Sequence, residues 1–257
     1  MMHLLERKTT GEFAFKVFAG KDPPDYAILS HTWHADNNEE VSYQDMEASN
    51  GSGKSKAGWK KINFCADKAK ADGLRYFWID TCCIDKKNAV ELGEAINSMF
   101  RWYQGATKCY VFLSDVSTTK RKMPGDEDTH NTWEQYFRVS KWFTRGWTLQ
   151  ELIAPASVDF FSLEGTHLGD KSTLVTMIHA ITGIARHALN GHPLSNFSVE
   201  ERMSWAKRRS TKLEEDEIYS LLGIFDISMP LIYGEGRRKA WRRLQKELNE
   251  PLKGDLF

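Results

Sequence analysis

Trp147 and Glu151 stand four positions apart in Ser140-Lys141-Trp142-Phe143-Thr144-Arg145-Gly146-Trp147-Thr148-Leu149-Gln150-Glu151-Leu152. If Thr148 to Ile153 forms a helical turn, the two share one face. Leu149, Leu152 and Ile153 then face a core, and Glu151 is held at a fixed height above it. A carboxylate beside aromatic rings and the Arg145 cation suits a cationic, ring-bearing ligand. The same residues fit a second reading, a buried tryptophan-rich corner closed by an Arg145–Glu151 ion pair.

More candidates stand where buried strands run into polar loops. Tyr26-Ala27-Ile28-Leu29-Ser30-His31-Thr32-Trp33 passes from apolar to small polar residues, which predicts a strand over 26–31. Arg75 to Asp80 reads as a second strand and ends in Asp80-Thr81-Cys82-Cys83. In open α/β sheets, ligands sit beyond the carboxyl ends of strands. Ser30, His31, Trp33, Asp80 and Cys82 are therefore site candidates. For His31 the alternative is a satisfied surface histidine. Adjacent Cys82 and Cys83 diverge and have no partner at zinc spacing, so a tight loop is expected there rather than a metal site or a reactive thiol.

The elements that must position these residues follow from periodicity. Trp59 to Asp72 has a helical apolar period, stopped by Gly73. Asn88 to Tyr103 is a helix with Leu92, Ile96, Met99, Phe100 and Tyr103 in one stripe, capped by Asn88. Lys108 to Leu113 and residues 157–161 are two further strands. Residues 1–25 look mixed, and residues 117–131 read as a charged surface loop. Alternating helices and short, continuously apolar strands predict an α/β fold with a mostly parallel sheet. After Ser162 the pattern turns helical: Leu174 to Ile181, a helix opened by the Ser198/Glu201 capping box, Asp216 to Leu222, and Arg237 to Leu248. No strand is evident there. The expected division is an α/β domain over 1–162 and a helical extension over 163–257 packed on it, with Trp205, Leu221, Leu222 and Trp241 buried.

One motif is a trap. Ala48-Ser49-Asn50-Gly51-Ser52-Gly53-Lys54-Ser55 fits a relaxed phosphate-loop pattern. That mechanism needs a buried strand entering the loop, so that backbone N–H groups converge on phosphate. The residues before it, Tyr43 to Glu47, are not such a strand, and a Gly/Ser loop is the better reading.

Composition bounds the rest. The 257 residues carry formal net charge zero, which gives no electrostatic case for nucleic acid or an anionic membrane. No apolar run approaches ~18 residues, so no membrane span is expected. Met1 to Lys8 lacks an apolar signal core, and the four cysteines show no C-x-x-C spacing; a cytoplasmic protein with reduced thiols follows.

The motif set resembles a known family. Tyr26 to Trp33, then Trp78-Ile79-Asp80-Thr81-Cys82-Cys83-Ile84-Asp85, Glu94-Ala95-Ile96-Asn97-Ser98-Met99 and Trp142 to Glu151 look like fungal heterokaryon incompatibility domains, in order and spacing. Glu201 to Ala206, Glu215 to Ile224 and Pro230 to Gly236 resemble the segment that usually follows. Lys86 departs from the pattern, standing where Gln is usual. The resemblance implies fungal non-self recognition with cell death. A second resemblance, to Toll/interleukin-1 receptor (TIR) domains, rests on Ile28-Leu29-Ser30 and on Trp147-Thr148-Leu149-Gln150-Glu151-Leu152. It implies a TIR-like, flavodoxin-like fold and an NAD glycohydrolase with Glu151 as the catalytic acid. Arg145 would hold a phosphate, Trp33 or Trp147 would stack on a ring, and Ser30, His31, Asp80 and Cys82 would line the substrate site. NAD is then the substrate, with no further cofactor or metal. The partners implied are a second copy of the chain or an upstream activating protein. The alternative is a non-catalytic signalling module that triggers death by self-association or partner binding, with Glu151 structural.

Overall fold

A computed structural model describes residues 1–19, 23–48, 51–119 and 132–249. Among these residues seven strands form one sheet: β1 Met2–Arg7, β2 Phe13–Phe18, β3 Tyr26–His31, β4 Tyr76–Ile79, β5 Lys108–Phe112, β6 Val158–Phe161 and β7 His167–Asp170. Their order is β2-β1-β4-β3-β5-β6-β7. The centre, β4-β3-β5-β6, is parallel throughout. Counted along the chain, these strands lie in the order 2-1-3-4, the doubly wound arrangement of flavodoxin-like sheets. All of β3 is buried, because both sheet faces are covered; that is why it reads as a continuous apolar run.

The flanks differ from expectation. Residues 1–25, read as mixed, hold the antiparallel β1–β2 hairpin, and β1 pairs with β4. Residue Gly11, at φ +85°, turns that hairpin. The stretch after Ser162, read without a strand, contributes β7 antiparallel to β6. Strand β7, His-Leu-Gly-Asp, has no apolar run, and in the hairpin the apolar residues are broken by His3, Glu6 and Arg7 in β1 and by Lys16 in β2.

The helices are α1 Tyr43–Glu47, α2 Trp59–Ala71, α3 Ala89–Gly105, α4 Thr132–Arg138 and α5 Thr148–Ile153; then α6 Val175–Thr182, α7 Arg186–Leu189, α8 Val199–Ser204, α9 Asp216–Tyr219, α10 Leu222–Phe225 and α11 Arg237–Asn249. Parallel register puts Ile28, Trp78 and Cys109 on one face. There Trp78 meets Tyr103 of α3, and Cys109 Sγ meets the Glu151 carbonyl of α5. Phe112 points the other way, to Phe64 of α2. Gly73, at φ +74°, ends α2, and the Asn88 side chain accepts from Val90 N and Glu91 N at the start of α3, both as the sequence predicts.

The C-terminal helices pack directly on α3 and α5. A Cβ on Gly223 of α10 would lie 2.1 Å from Phe100 Cβ, so only glycine admits this approach. Trp205, Leu221 and Leu222 are buried, whereas Trp241 is only half-buried. The entry to the Gly/Ser loop is helix α1, not a strand, and the loop runs into a 3-10 turn at Ser52–Ser55; Ser49 and Asn50 lie outside the described residues. Among the described residues no helix is long and apolar enough to cross a membrane.

Candidate functional site

A cavity of about 400 Å³ opens beyond the carboxyl end of β3, next to the switch point between β3 and β5. Its floor is built by β3 and α5. Glu151 sits in the first turn of α5, 5% exposed. The Ser30 hydroxyl donates to Glu151 Oε2. Ser30 Oγ in turn accepts from the indole N–H of buried Trp142 at 2.8 Å. With one lone pair taken by Trp142, the serine hydrogen is directed at the carboxylate. His31, the next residue, also lines the cavity at 6% exposure; among the described residues neither of its ring nitrogens has a hydrogen-bond partner, and Nδ1 lies 3.8 Å from Asp80 Oδ1. A buried imidazole left open in this way calls for a ligand or water.

The walls bring two tryptophan–aspartate pairs together. Trp33 Nε1 donates to Asp80 Oδ2 at 2.8 Å, and Lys86 Nζ lies 3.9 Å above the Trp33 ring. Opposite, the Trp147 side chain hydrogen-bonds to Asp216, which also accepts from the Tyr233 hydroxyl at 3.0 Å. Asp216, Tyr233, Lys212 and Leu213 all belong to the C-terminal segment, yet they line the same cavity. Glu215 positions that wall by accepting from Gly234 N and Gly236 N, both at 2.9 Å, which curls the 230–236 turn back onto α9. Strand-like pairing joins the halves: Gly146 N donates to Ser210 O at 2.9 Å and Ser210 N to Thr144 O at 2.7 Å. At the mouth, Lys212 Nζ donates to Asn37 Oδ1 at 2.6 Å.

Burial sets the protonation states. Desolvation first, and then the Asp80 charge, pushes Glu151 up to about 8; Ser30, Tyr103 and Arg145 pull it down less strongly. Burial also raises Asp80 and Asp216. Burial first, then the Lys61, Lys86 and Arg145 charges, holds His31 well below its usual value and hence neutral. Burial thus disfavours the charged form of each of the three acids, and most clearly that of Glu151.

Two comparisons bear on what carries such a site. Residues 26–132 match the family model "Heterokaryon incompatibility protein (HET)". The chain carries a heterokaryon incompatibility domain. It is also 57% identical over 251 residues to "Vegetative incompatibility protein HET-E-1" of Podospora anserina. That alignment takes in 97% of this chain but only 18% of the relative's length. No solved structure matches the chain.

His31, Trp33 and Asp80, within the matched stretch, and Arg145, Trp147 and Glu151, beyond it, line the cavity. Ser30 lies beneath it, spent on Glu151 and Trp142. Cys82, expected in the substrate site, does not line the cavity: it is fully buried in the turn after β4, and its thiol is held protonated by its bond to Cys83 and by burial. The Arg145–Glu151 ion pair of the second reading is absent; Glu151 bonds to serine instead. Tyr103, Lys212, Asp216 and Tyr233 were not singled out as site residues. Tyr103 looked like one more member of a core stripe, and the other three sit on helices and turns with no motif pointing at Glu151. Among the described residues, no three His, Cys, Asp or Glu side chains cluster as metal ligands would.

Proposed function

We propose that this HET domain acts in non-self recognition and cell death by cleaving NAD to nicotinamide and ADP-ribose. One observation carries the reading. Glu151 is a buried carboxyl with no ion pair among the described residues, held by a serine hydroxyl at the floor of an open cavity. Such a group costs stability and contributes none to packing, which is the mark of a site kept for chemistry. The TIR resemblance of residues 147–152 supports the same role.

The step balances simply. The bond between ribose C1′ and the pyridinium nitrogen breaks, and its electron pair goes to that nitrogen, so nicotinamide leaves neutral. The ribosyl cation left behind is stabilised by the Glu151 carboxylate. Water adds through oxygen to C1′ and releases one proton. Empty, the site holds Glu151 largely protonated at neutral pH. The positive ring of NAD favours its ionisation, so the charge forms where the transition state needs it. Ser30 orients the carboxyl, while neutral His31 and Asp80 are left for the ribose hydroxyls. The cytoplasm is the fitting compartment, and the four cysteines are free and buried.

The test is incubation of purified protein with NAD, following nicotinamide by chromatography beside the Glu151→Gln variant. Release by the parent and not by the variant is expected. Parental turnover in the variant sinks the assignment, and leaves a non-catalytic module that acts through self-association or an upstream activating protein.

A further inference from the structure

The cavity is graded in charge with depth. Buried acids lie deep in it, Glu151 on the floor and Asp216 on the far wall, 5% and 9% exposed. At the rim lie Lys86 and Lys212, both exposed, reaching it from opposite sides: Lys86 from the turn after β4, Lys212 from the C-terminal segment. Among the described residues neither lysine has a carboxylate within ion-pair distance, though the Asp80 and Glu40 charges act on Lys86 from further away. Lys86 rests on the Trp33 ring and Lys212 on the Asn37 amide, contacts that hold an ammonium in place without neutralising it. Arg145 stands between the layers, where its charge acts on Glu151 and Asp216. Its charge is directed inward at these acids, so the expected phosphate contact moves outward to the lysines.

We propose that Lys86 and Lys212 form a phosphate clamp at the rim, so that the cavity takes a mononucleotide unit with its base and pentose inward and its phosphate outward. This rests on reading the cavity as a nucleotide site. It also divides the two tryptophans. The Trp33 face is occupied by Lys86, so the entering ring stacks on Trp147, whose edge is pinned by Asp216. A cavity of about 400 Å³ lies near the lower end of the range for ligand pockets. It houses the nicotinamide riboside phosphate half of NAD and leaves the adenosine half outside.

The probes are nicotinamide mononucleotide and uncharged-tail nicotinamide riboside, which differ by the phosphate alone. Their binding is measured by calorimetry on the full chain carrying Glu151→Gln, so that turnover does not consume them, after its thermal melt has been matched to the parent. The mononucleotide should bind at least about tenfold more tightly, as charge-assisted hydrogen bonds to phosphate require. Adding Lys86→Gln and Lys212→Gln should erase that preference while leaving riboside binding unchanged. Equal binding of the two probes, a preference that survives the double substitution, or no binding of either overturns the clamp. Nicotinamide release from NAD by the parent protein is read separately. A lysine-dependent preference without release keeps the clamp and removes the hydrolase; release without the preference does the reverse.

Discussion

Ser30, near the end of the central strand, donates its hydroxyl hydrogen to the Glu151 carboxylate, 121 positions further along the chain. Trp142 donates to the same serine oxygen, so the hydroxyl has one direction left. Glu151 is thus oriented by a neutral donor. A cation there would keep it ionised, whereas serine leaves burial free to raise it to about 8.

Glu151→Gln should lower nicotinamide release at least ~100-fold, the scale of losing one electrostatic stabiliser. Its effect on stability has a sign. The folded-state value lies above the ordinary 4.5, so between 4.5 and about 8 the folded protein keeps a proton that the unfolded chain has lost. That contribution is full below the unfolded value and declines as pH rises through about 8. The melting temperature of the variant should therefore fall less than the parent's between pH 5 and pH 9. A variant that melts far lower at every pH would instead show Glu151 to be a structural partner.

The kcat/KM of the parent should rise with pH toward about 8, because the free enzyme must ionise Glu151. Ser30→Ala should move that rise to higher pH, since the serine bond favours the charged form. It also strands the Trp142 N–H, at a cost of about 1–3 kcal/mol in urea unfolding. Lower activity with an unmoved profile would mean that Ser30 only holds the fold.

Two glycine substitutions should act in opposite directions. A Cβ on Gly146 would stand 2.4 Å from Thr211 Cγ2, in the seam between α5 and the C-terminal wall. Gly146→Ala should cost about 1–3 kcal/mol and loosen the cavity. Gly93, inside α3, has nothing within 4 Å of its Cβ position. Gly93→Ala should add about 0.5–1 kcal/mol through helix propensity alone. Equal melting temperatures for the pair would contradict the seam.

Cutting the chain after Ser162 removes β7 and the wall that holds Asp216 and Tyr233. The fragment should be insoluble, with the α3 stripe and the β6 edge bare. A soluble, cooperatively folding 1–162 fragment would show that the wall is a separate unit.

The parallel centre was legible because each of its strands is covered on both faces and so must be apolar along its length. The same logic put Ser30, His31 and Asp80 at strand ends, and the four-residue spacing put Trp147 and Glu151 on one helix face. The hairpin at residues 2–18 and strand β7 left no such trace. Strands β2 and β7 lie at the sheet edges, where pairing is carried by backbone groups that every residue has, while inner β1 is buried yet its apolar residues are interrupted by His3 and end in Glu6 and Arg7. Cys82 was placed wrongly because a strand end fixes position along the sheet, while the turn after it decides which side chains face inward. The far wall was beyond sequence reasoning altogether. Lys212, Asp216 and Tyr233 are ordinary residues of a helical segment until Ser210 pairs beside Gly146 and the 230–236 turn folds onto Glu215. Only that packing sets an acid and a lysine in the same cavity as Glu151, and only tertiary burial, with Asp80 nearby, raises Glu151 to about 8.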